Sequence, residues 1–76
     1  MKKIRRDLGG YLKKLRLDKK LSLNEVVGYL GIYKINTSHS TLSRIEHGLM
    51  MPKADMIAGL SLVYDISTEK ILFFSK

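Results

Sequence analysis

The sequence predicts an all-α domain, and three observations carry that expectation. Apolar residues recur at spacings of three and four with Lys and Arg between them. Ser, Gly and Pro stand where helices would start and stop. No convincing period-two run of apolar residues accompanies them.

The elements follow in order. Ile4, Leu8, Leu12 and Leu15 form an amphipathic stripe and predict a first helix over 5–19. Ser22 and Glu25 fit a capping box, with Leu21 and Val26 placed as its hydrophobic staple. A second helix is expected over 23–30, with Gly31 supplying the left-handed residue that ends it. Residues 32–37 read as loop. Ser38 is placed to cap a third helix over 38–47, in which Leu42 and Ile45 face inward. Gly48 stops it. Pro52 suits the first position of a fourth helix, 53–63, with Met56, Ile57, Leu60 and Val63 inward. Ser67 caps a short last helix, 68–74, holding Ile71 and Leu72.

At 76 residues the chain is expected to be one domain with a thin core. With 45% hydrophobic and 28% charged residues it is composed like a soluble globular protein rather than a disordered one. There is no Cys, so disulfides, zinc fingers and thiol chemistry are excluded. No segment is apolar over the length a membrane span needs. The basic start lacks an apolar stretch after it, so no signal peptide is expected.

The net charge of +7 points to a polyanionic partner. Its location is more informative than its size. Residues 1–20 hold nine Lys or Arg against Asp7 and Asp18, which accounts for the whole surplus. The remaining residues balance five basic against five acidic side chains. The basic stretch reads as a phosphate grip or an arm entering the minor groove, as a solvated helix face, or as a membrane-surface helix. The stripe from Ile4 to Leu15 is better explained as core than as lipid-facing.

Two short helices joined by a turn, with a polar N-terminus on the second, form the kernel of a helix-turn-helix. An α-helix fits the major groove of B-DNA, and its N-terminal residues reach base edges first. The chain resembles the Cro/phage-repressor type of helix-turn-helix domain, the xenobiotic-response-element family, from about Leu8 to Leu72. The resemblance rests on Leu12…Leu15-Arg16, Leu21-Ser22-Leu23-Asn24-Glu25-Val26-Val27, the run Ser38-His39-Ser40-Thr41-Leu42-Ser43-Arg44-Ile45-Glu46-His47-Gly48, then Pro52 and Tyr64-Asp65-Ile66-Ser67. It implies a five-helix, lambda-repressor-like fold and an ion pair between Arg16 and Glu46. It also implies a regulator that binds double-stranded DNA, with His39, Ser40, Ser43 and Arg44 toward bases. Ser38 and His47 are expected near phosphates, as are Lys13, Lys14, Lys34 and Lys53. Thr41 is expected to be structural.

The chain departs from the family pattern twice. Tyr33, Lys34, Ile35, Asn36 and Thr37 are extra, which makes the turn long. Leu23 stands where many members carry a phosphate-touching Gln, so that contact is expected to be absent.

His39 and His47 are eight residues apart on one helix, about 12 Å along its axis, which is too far for one metal ion. Ser43 and His47 can hydrogen bond, but no third group orients the His and no oxyanion turn accompanies them. No cofactor, metal or enzymatic activity is expected. Phe73 and Phe74 close the chain beside Ile71 and Leu72, either folding over the core or forming a homodimer surface. The function expected is a cytoplasmic, nucleoid-associated transcriptional repressor, dimeric on a palindromic operator. The alternative is a protein-interaction module, such as an antitoxin or phage modulator, that keeps the fold without specific DNA binding. With no room for a ligand domain, control by a small molecule is not expected.

Overall fold

The computed structural model describes residues 2–73, with side chains described from Arg6 onward. Five helices follow one another: α1 Lys2–Asp18, α2 Leu23–Ile32, α3 His39–Glu46, α4 Ala54–Val63 and α5 Thr68–Leu72. No strand occurs among the described residues. Ile4 and Phe74 lie outside the described side chains.

The apolar stripes of the sequence become the core. Leu8 and Leu12 of α1 meet Val26 and Leu30 of α2, Leu42 and Ile45 of α3, Met56, Ile57 and Leu60 of α4, and Ile71 of α5. α3 packs against both α1 and α2, while α5 closes the other side against α4 and α1. Leu23 is partly buried against this core. A residue turned inward there has no reach toward a phosphate.

The helix starts are built from short side chains. Ser22 Oγ accepts from Glu25 N–H at 3.1 Å, and Glu25 Oε1 accepts from Ser22 N–H at 2.8 Å, closing the capping box. Ser38 and Ser67 cap α3 and α5 by accepting from Thr41 N–H and Lys70 N–H. Lys53 is the N-cap of α4 and makes no side-chain cap bond. Pro52 therefore stands one residue before that cap rather than inside the helix. It is buried there, so its ring contributes packing at the entry to α4.

The first four helices end in one geometry. Lys20, Lys34, Gly48 and Asp65 have φ of 58°, 63°, 76° and 53°. The next residue in each case is apolar and donates its N–H five residues back: Leu21 to Arg16, Ile35 to Leu30, Leu49 to Arg44 and Ile66 to Ser61. These are Schellman caps. Gly31 is not one of them. It lies inside α2, and Lys34 supplies the left-handed residue. Three of the four residues that follow these caps, Leu21, Ile35 and Ile66, pack against the core, and Leu49 is exposed. A stop at Gly31 would have put Ile32 in that place, and Ile32 is 72% exposed. A stop at Lys34 puts Ile35 there, packed against the core.

Candidate nucleic-acid interface

α3 has two unlike sides. Leu42, Ile45 and Glu46 are buried. Ser40, Ser43, Arg44 and His47 follow one another at steps of three, one and three residues, which puts them along one outward stripe. Ser40, Arg44 and His47 are exposed and Ser43 half-buried. Ser38 and His39 are exposed at the start of the helix. Thr41 is turned to the capping hydroxyl, its Oγ1 accepting from Ser38 Oγ at 3.1 Å. That bond gives Thr41 a structural task and leaves its neighbours as the outward donors and acceptors.

The buried side of α3 is anchored by charge. Arg16 Nε donates to Glu46 Oε2 at 2.7 Å and Arg16 Nη2 to Glu46 Oε1 at 2.9 Å. Arg16 Nη1 donates to the Leu21 carbonyl at 2.9 Å. Both side chains are almost sealed from solvent, at 10% and 5% exposure. The Glu46 carboxylate bond holds the Arg16 guanidinium above its ordinary pKa, against the opposing effect of burial. The bidentate geometry fixes the angle of α3 as well as its distance from α1.

α1 also approaches α3 closely along its backbone. A Cβ on Gly9 would overlap the carbonyl oxygen of Ile45 and come within 2.7 Å of that of Glu46. Just past α3, Gly48 lies against Arg6, where a Cβ would come 2.7 Å from Arg6 Cα. Gly9 and Arg16 thus mark the line along which α1 faces α3. At about 100° per residue, Lys13 and Arg6 lie about 40° and 60° from Gly9, and Lys14 about 140° away. Lys13 and Lys14 are both exposed. Of these two lysines, Lys13 alone shares the side of α1 that borders α3. Arg6, also exposed, was not singled out from the basic run, because its position beside Gly48 depends on how two distant helices dock.

His47 ends α3, and its Nδ1 lies 2.7 Å from the Ser43 carbonyl and 3.4 Å from Ser43 Oγ. Since a carbonyl only accepts, Nδ1 carries the proton and Nε2 is left for an outside partner. Lys34 and Lys53 are exposed in the loops on either side of α3. The structure thus gathers Ser38, His39, Ser40, Ser43, Arg44 and His47 on one helix, with Lys34 and Lys53 beyond its ends. Lys14 stands apart. No group of His, Cys, Asp and Glu able to hold a metal ion occurs among the described residues.

A family model described as helix-turn-helix matches residues 12–71. No curated protein matches the chain.

Proposed function

The chain belongs to the helix-turn-helix family of the Cro/phage-repressor type, a DNA-binding family, and from that premise we propose that it is a transcriptional repressor acting as a homodimer on a palindromic operator. The observation that carries this reading is the two-sided α3. Its inner face is locked by Arg16–Glu46, while its outer stripe offers Ser40, Ser43, Arg44 and His47 to a groove. His39 and Ser40 stand in the first turn, the part of a recognition helix that meets base edges. Ser38, His47, Lys13, Lys34 and Lys53, with Arg6, contact phosphates and set register, which supplies affinity without sequence information, while Lys14, on another side of α1, contributes at most to the general field. Dimerisation through the C-terminal surface is supported by Leu72 and Phe73, each about half exposed beside the buried Ile71. In such a dimer the half-site centres lie about 34–36 Å apart. No helix among the described residues is long and apolar enough to cross a membrane, and the site of action is the cytoplasmic nucleoid.

Binding sites selected from random duplex DNA, followed by fluorescence anisotropy, test this reading. His39→Ala and Ser40→Ala are expected to change the preferred sequence. Unchanged preference in both, with Arg44→Ala also silent, would remove α3 as the reading element. The exposed apolar residues Ile32, Leu49 and Leu62 favour a second reading, an interaction module without specific DNA binding. Failure of the purified protein to bind either heparin or duplex DNA at low salt would decide for it.

A further inference from the structure

Residues 33–37 read as extra on the family resemblance, and they stand directly before Ser38 and α3. We infer that Ile35 is a positioning residue for the recognition helix: seated in a notch left by Gly59, it fixes where the first turn of α3 stands.

Ile35 is held twice. Its N–H donates to the Leu30 carbonyl at 3.0 Å as the last bond of the α2 cap. Its side chain packs on the core over α4. A Cβ on Gly59 would overlap Ile35 Cδ1 and come 2.8 Å from Leu30 Cδ2, so the glycine leaves the space that Ile35 fills. Only Asn36 and Thr37 then separate this anchor from Ser38, the N-cap of α3. Three chain steps reach at most about 11 Å, which confines where Ser38 can stand. A loop left free over its whole length would confine it less. Glu46 is tied to Arg16 at the other end of the helix. α3 is therefore held at both ends, and the added residues tighten the joint they lengthen.

An ordinary core residue would act on the whole fold alike, whereas a positioning residue acts first on its neighbours. The two are separated by amide hydrogen exchange on the full chain. The probes are Thr41 and Leu42, whose N–H groups donate to Ser38 Oγ and the Ser38 carbonyl, against Leu60 in α4. Ile35→Ala is expected to lower protection at Thr41 and Leu42 about tenfold more than at Leu60. Val63→Ala, a partly buried α4 residue on the same core, is expected to lower all three together. Gly59→Ala favours α4 as a helix but crowds the Ile35 side chain most and Leu30 Cδ2 less, so it is expected to loosen Thr41 and Leu42 more than Leu60. A uniform fall in Ile35→Ala, matching Val63→Ala, overturns the inference. So does a Gly59→Ala protein in which Thr41 and Leu42 keep their protection.

The consequence for base reading rests on the DNA-binding reading above. In anisotropy, Ile35→Ala is expected to lose about tenfold of its preference for a selected operator over random duplex, with binding to random duplex and its salt dependence unchanged. If the parent protein binds neither duplex, the DNA reading fails while the exchange experiment still decides the positioning. If the parent discriminates and Ile35→Ala discriminates equally well, the DNA reading stands and the positioning role falls.

Discussion

Arg16 directs Nε, Nη1 and Nη2 to partners on two different segments, so its loss is felt at the end of α1 and at the end of α3 together. Glu46→Ala leaves the guanidinium buried with the Leu21 carbonyl alone. The expected loss is about 3–5 kcal/mol in urea unfolding, a large part of the stability of so small a domain. Arg16→Met combined with Glu46→Leu is expected to recover most of it, since the desolvation of both charges disappears as well. If the double variant is as unstable as Glu46→Ala, the cost lies in packing shape and not in an orphaned charge. Tyr64 gives a pH signature nearby. It is buried in the core, and that burial raises the phenol pKa, with the Glu46 charge adding to it. The neutral phenol is favoured in the folded state, so its stabilising effect is complete below the unfolded value of about 10. Stability should then fall as pH rises from there toward the raised folded value, by about 1 kcal/mol per unit. Tyr64→Phe is expected to flatten that alkaline limb in urea titrations. Neither the ion pair nor the burial of Tyr64 follows from local spacing. Arg16 and Glu46 are thirty residues apart, and only the family resemblance brought them together before the structure did.

At the scale of elements, the helix starts were more legible than the helix ends. Ser22, Ser38 and Ser67 each cap the helix that their positions predicted. The side chain that makes such a cap is itself the signal, so a single sequence can display it. A Schellman cap asks for one left-handed residue and is frequently joined by an apolar contact from the residue after it, as at Leu21, Ile35 and Ile66 though not at the exposed Leu49. Gly48 announced the requirement, but Lys20, Lys34 and Asp65 meet it without any intrinsic preference for Lys, and the apolar contact depends on where the core lies. The misplaced end of α2 at Gly31 came from this asymmetry. Left-handed Lys carries a cost that glycine lacks, about 1 kcal/mol. Lys34→Gly is therefore expected to raise the melting temperature, because a cap residue is improved, and on the DNA-binding reading, in which Lys34 meets a phosphate, to weaken all duplexes alike. A variant that is both less stable and unchanged in DNA affinity would contradict each half of that expectation. Asp65→Gly should gain less than Lys20→Gly, since Asp tolerates the left-handed region better than Lys.

At the scale of the molecule, the charge and the reading surface lie on different elements. α3 carries Arg44 as its one Lys or Arg, whereas α1 and the turn after it hold the whole of the basic surplus. That division was visible in the sequence. Which basic residues border the outer side of α3 was not, because it depends on the docking of α1 through Gly9 and Arg16. On the DNA-binding reading, each lost phosphate contact should reduce the slope of log affinity against log salt by about 1. Lys13→Ala and Arg6→Ala stand on the side of α1 next to α3, so each is expected to flatten that slope by this amount without changing the preferred sequence. Lys14→Ala, about 100° further round the helix than Lys13, is expected to change it clearly less. Arg44→Ala should alter both slope and preference, since it lies on the outward stripe of α3. The measurement is a salt titration of operator and random duplex for each variant. Equal slopes for Lys13→Ala and Lys14→Ala would mean that the charge of α1 acts as a diffuse field. A larger effect at Lys14 would mean that DNA approaches α1 from the other side, and that the outer stripe of α3 is not what the backbone contacts bring to the groove.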